Sequence, residues 1–246
     1  MIEDEANRTS PLQADSARMD TKKPLRTAII LCQQRRYADA ETECRAALGT
    51  EGPASCKDSK EILSLRRVLA DALTAQQKYS EAEAELRATL PAIEQVLGPD
   101  DAGTVSCLDN LGACLFLQGK HAEGEACHRE VLAIRQRVLG PEHPATLQSH
   151  ENLAIDLDGH AQAKHEEAEA HYRTVLAVKD RILGPDHPEV ATMCYALALR
   201  LNLDGRRKEA LPLARRALVI WKKSLGDEHV DTQRAQSLFT ELEQED

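Results

Sequence analysis

The sequence predicts an all-α chain, about five helical hairpins in series closed by a C-terminal capping helix. Three observations predict it. Leu97-Gly98-Pro99-Asp100-Asp101 recurs as Leu139-Gly140-Pro141-Glu142-His143-Pro144, as Leu183-Gly184-Pro185-Asp186-His187-Pro188, and, degraded, as Leu225-Gly226-Asp227-Glu228-His229, in steps of 42, 44 and 42 residues. A large–small pair keeps the same period: Leu69-Ala70, Leu111-Gly112, Leu153-Ala154 and Leu197-Ala198. So does a turn, Arg36-Tyr37, Lys78-Tyr79, Lys120-His121 and Lys164-His165, followed by Ala40, Ala82, Gly124, Ala168 or Ala210. Three markers in phase at a period of this size indicate stacked supersecondary units.

Residues 1–20 are acidic and lack a usable period, so a disordered tail is expected there. The repeats occupy 21–246: unit one over about 24–48, a loop over 49–59, then units over about 60–97, 102–139, 144–183 and 188–225, and a capping helix over 229–244. Within the third unit, Val105, Leu108, Leu111, Gly112 and Leu115 share one helical face. Gly119 breaks that helix. Ala122, Ala126, Val131, Leu132, Ile134 and Val138 form a second, which ends at Leu139-Gly140-Pro141. Glycine there is expected to supply a left-handed C-terminal turn, and the proline cannot continue the helix. Asp, Glu or His ahead of the next helix can cap its free N–H groups. The small residues Gly112 or Ala154, opposite Gly124 or Ala168, let two backbones approach where larger side chains would overpack. Such helices are marginal alone. Stacking buries their Leu and Val faces, at roughly 1.5–3 kcal/mol per large side chain, so stability passes from neighbour to neighbour.

Composition narrows the function. Apolar residues are 42% and charged residues 29%, which suits a folded soluble chain, and the 3% aromatic share suits close-packed Ala- and Leu-rich helices. The net charge of −10 argues against a nucleic-acid partner, which needs clustered Lys and Arg. The seven cysteines (32, 44, 56, 107, 114, 127 and 194) form no C-x-x-C pair and read as reduced thiols, mostly inside helical patterns. The start, Met-Ile-Glu-Asp-Glu, has no secretory pattern, and no apolar run reaches the length of a bilayer span. The expectation is a cytoplasmic protein without a membrane partner.

Leu-Gly-Pro-x-His-Pro at this spacing, with Asn110-Leu111-Gly112 and Asn152-Leu153-Ala154 in first helices and Glu167-Ala168-Glu169 in a second, resembles the kinesin-light-chain type of tetratricopeptide repeat. Glu123-Gly124-Glu125 departs from that second motif in one residue. The resemblance spans about residues 24–245 and implies a right-handed α-solenoid. It further implies binding of a peptide or partner helix in the concave groove lined by first helices. Residues 1–20 hold no counterpart of the heptad coiled coil that precedes the repeats in kinesin light chains, so motor binding is not carried over.

Catalytic and metal signals are weak. His165-Glu166-Glu167-Ala168-Glu169 approaches H-E-x-x-H but lacks the second histidine, and His165 fills the repeated turn slot. Glu125-Ala126-Cys127-His128 has E-x-x-H spacing without a second copy, and His128 falls in the core slot of Leu86 and Tyr172. His143 and His187 read as turn formers. No phosphate loop, nucleophile elbow or dinucleotide fingerprint occurs. Neither an enzyme nor a cofactor, metal or catalytic site is expected.

The partner should therefore be another protein, held by first-helix positions that miss the core. By register these include Arg67, Asp71, Asp109, Asn110, Ala113 and Phe116. The later units add Gln148, Glu151, Asn152, Ile155, Tyr195, Leu199 and Asn202. Asn110 and Asn152 can pair with peptide backbone, and Ile155, Tyr195 and Leu199 can form pockets for apolar anchors. Asp71 would repel a C-terminal carboxylate, so the carboxylate clamp of chaperone-binding repeats is not expected. The extra two residues of unit four fall in the turn 158–163 and read as tolerated loop growth. An alternative is a structural subunit or assembly factor held permanently in a larger complex by its tail, its 49–59 loop and its end hairpins.

Overall fold

The computed structural model describes residues 22–49, 59–159 and 164–244; the expected tail, most of the 49–59 loop with Cys56, and residues 160–163 of the long turn lie outside them. Among the described residues the chain is helical and has no strand. The helices pair as hairpins: α1 (Lys22–Gln33) with α2 (Tyr37–Gly49), α3 (Lys60–Ala75) with α4 (Tyr79–Leu97), α5 (Ala102–Leu117) with α6 (His121–Leu139). They continue as α7 (Pro144–Asp158) with α8 (His165–Leu183) and α9 (Pro188–Leu203) with α10 (Arg207–Leu225), and α11 (Val230–Glu243) follows α10. Consecutive helices pack on each other from α1 to α4 and from α6 to α11. The contacts divide into two compact units, residues 1–107 and 108–246, with the boundary inside α5.

In the first unit Leu63, Leu65, Leu69, Leu73, Leu86 and Ile93 are fully buried. In the second, one cluster joins Leu153, Ala154 and Leu157 of α7 to Ala168 and Tyr172 of α8, Leu197, Ala198 and Leu201 of α9, and Ala210 and Ala214 of α10. A second gathers Val190, Ala191 and Cys194 around Ala217, Ile220, Trp221 and Ala235. The small residues meet as the register requires. A Cβ on Gly124 would lie 3.0 Å from the Gly112 carbonyl oxygen. One on Gly112 would lie 2.7 Å from His128 Nε2, so this position, alanine in α3, α7 and α9, is glycine where the histidine ring needs the space.

Each second helix from α4 to α10 stops at a glycine with positive φ, Gly98, Gly140, Gly184 and Gly226, at 92°, 89°, 89° and 85°. Their ψ values of 158–168° differ from the left-handed helical turn expected from the sequence. The chain leaves the helix extended, in a mirror-image region that is essentially glycine-only. This aims it at the next first helix instead of wrapping the helix end. From α7 on, the helix that follows begins on a histidine cap: Nδ1 of His143, His187 and His229 accepts from the backbone N–H of Ala145, Glu189 and Asp231 at 3.1, 3.2 and 3.2 Å. Thr104 and Thr146 donate to the carbonyls of Gly98 and Gly140 at 2.7 and 2.8 Å, closing the same turn from inside.

The turn cation also has a structural task. Lys78 reaches Glu41 at 2.7 Å, Lys164 pairs with Glu125, and Arg206 reaches Glu169 at 2.5 Å. The same glutamates accept from an arginine four residues on, Arg45, Arg129 and Arg173. Those arginines continue to Glu81, Glu167 and Glu209 of the following second helix, at 2.7, 2.7 and 3.5 Å. A ladder of Glu, Arg and Glu thus joins successive second helices within each unit, and accounts for the E-A-E and turn markers together.

Candidate functional site

In the second unit the first-helix face is built from α5, α7 and α9. Asp109 is its polar centre. Its carboxylate accepts from Arg135 Nη2 at 3.0 Å and from Asn152 Nδ2 at 3.2 Å. Asn152 Oδ1 in turn accepts from Gln148 Nε2 at 3.1 Å. Arg135 is anchored from the other side by Ser149 Oγ at 2.7 Å and the Ala145 carbonyl at 3.3 Å. The structure therefore brings Asp109, Gln148 and Asn152 into one chain of hydrogen bonds. Asn152 retains one N–H and one acceptor lone pair beyond these bonds. Asn110, one residue on, is half-buried.

Beside this chain lie apolar side chains. Ile155 is 47% exposed, Leu199 is 37% exposed, and they occupy the same repeat position, 44 residues apart. Ala113 precedes them in α5 and Glu241 follows in α11. Leu203, which sequence reasoning missed, is 74% exposed at the end of α9. Phe116 meets His121 edge-on with ring centroids 5.0 Å apart. Tyr195 leans on Trp221 at 5.5 Å and is half-buried against the core, so its ring is partly spent on packing. Glu151 binds Lys179 at 2.7 Å, and Lys179 also reaches Glu189 at 3.0 Å. Burial works against the Lys179 charge, but the two carboxylates outweigh it and raise its pKa. Asn202 donates to Glu241 at 2.9 Å. Arg67 and Asp71 sit in the first unit, 3.7 Å apart. Burial raises the Asp71 pKa against the opposing Arg67 charge.

Behind the face are polar pairs that no sequence pattern announced. His128 Nδ1 lies 2.5 Å from Asp156 Oδ2, and His128 Nε2 lies 3.3 Å from the Asp109 carbonyl oxygen. Both side chains are almost fully buried. Burial disfavours the imidazolium, but hydrogen bonding and attraction from Asp156 and Asp109 raise its pKa overall. Register held the clue, since Asp156 fills the slot of Ala72 and Cys114 and faces the histidine that replaces Leu86. Glu125, its E-x-x-H neighbour, instead turns to Arg129 and Lys164. One repeat on, Arg200 in the Asp156 slot pairs with Asp158 at 3.2 Å and Asp204 at 2.7 Å, and Tyr172 donates to Asp158 at 3.0 Å. His165 Nδ1 lies 3.3 Å from Asp204. His150 and His171 face each other with Nδ1 atoms 2.7 Å apart, and Gln136 Nε2 is 3.2 Å from His150 Nε2.

The arrangement offers fixed polar groups next to exposed apolar ones, which is recognition chemistry. No described helix is long and apolar enough to cross a membrane. A search of the curated proteins finds no match. Solved structures are similar in fold. The nearly identical TPR-like repeats named for a kinesin light chain of Podosopora anserina share 20% identity over 83% of this chain and 96% of that chain, with a TM-score of 0.72. YrrB, described as a TPR protein with an unusual peptide-binding site, shares 13% identity over 92% and 96%, with a TM-score of 0.59. Bacillus thuringiensis PlcR, solved with the peptide PapR7 and DNA, shares 16% identity over 92% and 76%, with a TM-score of 0.58. The family pattern of the tetratricopeptide repeat matches residues 61–123, 106–161 and 160–223, well over half of the 246 residues, and the chain belongs to that repeat family.

Proposed function

We propose that this chain is a non-catalytic adaptor that binds a peptide or helix of a partner protein along its first helices. The observation that carries the reading is the pairing of exposed Ile155, Leu199 and Leu203 with the prearranged Asp109–Asn152–Gln148 chain. Apolar anchors supply affinity once desolvated, and preordered polar groups fix the register of the ligand at little entropic cost. YrrB and PlcR, similar in fold, are described with peptides, which supports the class of ligand without naming one. The six cysteines among the described residues are free and four of them are buried, which agrees with a reducing, cytoplasmic setting.

The test is a peptide array probed with the purified chain, followed by the double variant Ile155→Asp, Leu199→Asp. Both residues are exposed, so helicity by circular dichroism should be unchanged. The peptides that bind the natural chain should lose roughly tenfold or more in affinity. Peptide binding that survives the double variant unaltered refutes the reading.

A further inference from the structure

The outer surface of α10 departs from that of the second helices before it, and the repeat itself provides the comparison. At three aligned outer positions α6 and α8 carry Ala126 and Ala170, Glu130 and Thr174, and Ala133 and Ala177. In α10 these become Pro212, Arg216 and Val219. The ladder glutamate, Glu125 in α6 and Glu169 in α8, becomes Leu211. The hairpin does not require these changes, because two neighbouring hairpins fold without them.

Together they shape a cleft. Leu211, Pro212, Val219 and Ile220 line an open cavity of about 390 Å³, with Arg215 and Arg216 beside them and Asp186 at one edge. Val219 is 59% exposed. Arg215 occupies the ladder position of Arg129 and Arg173 but has lost its glutamate. It is 65% exposed, reaches Glu243 only at 3.9 Å, and lies 5.5 Å from the centre of the Phe239 ring. Asp186 is taken up by Lys223 at 2.8 Å, and Arg216 by Asp180 at 2.8 Å and the Pro185 carbonyl at 3.0 Å. The helix carries Arg207, Lys208, Arg215, Arg216, Lys222 and Lys223 against the single carboxylate of Glu209, in a chain whose net charge is −10. The cleft has an apolar floor with cations on its rim.

We infer that the outer face of α10 is a second docking surface, for an acidic amphipathic helix that places an apolar side chain against Val219 and Leu211 and a carboxylate on Arg215. Charge complementarity selects this occupant. A basic or neutral segment leaves Arg215 with only its 3.9 Å contact to Glu243, and a phosphate backbone gains nothing from the apolar floor. The surface is separate from the first-helix face and does not depend on its role.

The experiment uses a fluorescently labelled helix-forming peptide with Leu at i, i+4 steps flanked by Glu, and its counterpart with Lys in place of Glu. Fluorescence anisotropy should show the acidic peptide binding the full chain at least roughly tenfold more tightly than the basic one. Arg215→Glu with Val219→Asp should remove that preference, while Ile155→Asp with Leu199→Asp should leave it intact. Should the first double variant lose helicity, Arg215→Ala with Val219→Ala replaces it, since alanine stands at the Val219 position in α6 and α8. Equal affinity for the two peptides overturns the proposal, as does loss of binding through the first-helix variant alone. A dimer by light scattering that the α10 variant dissociates also overturns it, because the occupant is then a second copy.

Discussion

At the residue scale, the buried histidines act in opposite senses. The raised pKa of His128 means that its pairing with Asp156 stabilises the fold fully below the unfolded value, about 6.5, and that this contribution fades as pH rises through the folded value. Asp156→Asn keeps the shape and removes the charge. It should cost about 1.5–3 kcal/mol near pH 6, and urea denaturation should show a smaller penalty at pH 9. An equal penalty at both values would show that His128 does not change its charge between them. His150 behaves in reverse. Burial, with the facing His171 adding to it, pulls its pKa down to about 4. The neutral form is the folded form, so stability is lost as pH falls from about 6.5 toward 4. His150→Phe should therefore flatten the acid limb of a Tm-versus-pH curve over that range. A limb as steep as that of the natural chain would assign acid sensitivity elsewhere.

At the element scale, the repeated turn is the most exacting piece of local structure. A Cβ on Gly184 would meet nothing within 4 Å, so any cost of Gly184→Ala comes from a backbone at φ 89° and ψ 158°. That cost should be of order 1–3 kcal/mol. Gly49→Ala is the control: it too has open space, but its φ is not positive, and it should be neutral or slightly stabilising. Thermal unfolding of the two variants separates backbone strain from packing. Leu-Gly-Pro was legible in the sequence as a helix stop. Its extended exit was not, because a glycine allows several positive-φ conformations and only the direction of the next helix selects one.

At the scale of the whole molecule, the ladder turns apparently scattered charge into inter-repeat structure. Glu125 is buried and held by Arg129 and Lys164, whereas Arg173 and Glu209 are each about half exposed and 3.5 Å apart. Glu125→Ala should cost about 1–3 kcal/mol, since a charge-assisted buried acceptor is lost. Arg173→Ala should cost at most about 1 kcal/mol, and less as salt is raised. Chemical denaturation at low and high salt distinguishes the two, and equal salt dependence would place Glu125 in solvent-like surroundings.

The sequence by itself determined the repeat, its period, its small-residue contacts and its all-helical class. Those follow from periodicity, and periodicity is local. It also placed Asp109, Gln148, Asn152, Ile155 and Leu199 on one face, because helical register alone decides that. Only the tertiary structure decided what each of them does there. Asp109, Asn152 and Gln148 bond to one another in a chain, Asp109 also accepts from Arg135 of a second helix, and Tyr195 is drawn toward Trp221. Asp156 reads in sequence as one more polar residue, yet it is the buried partner of His128. Such pairings join positions 26 to 43 residues apart on different helices. The geometry of packing brings them together, and no repeat period encodes a contact made only once.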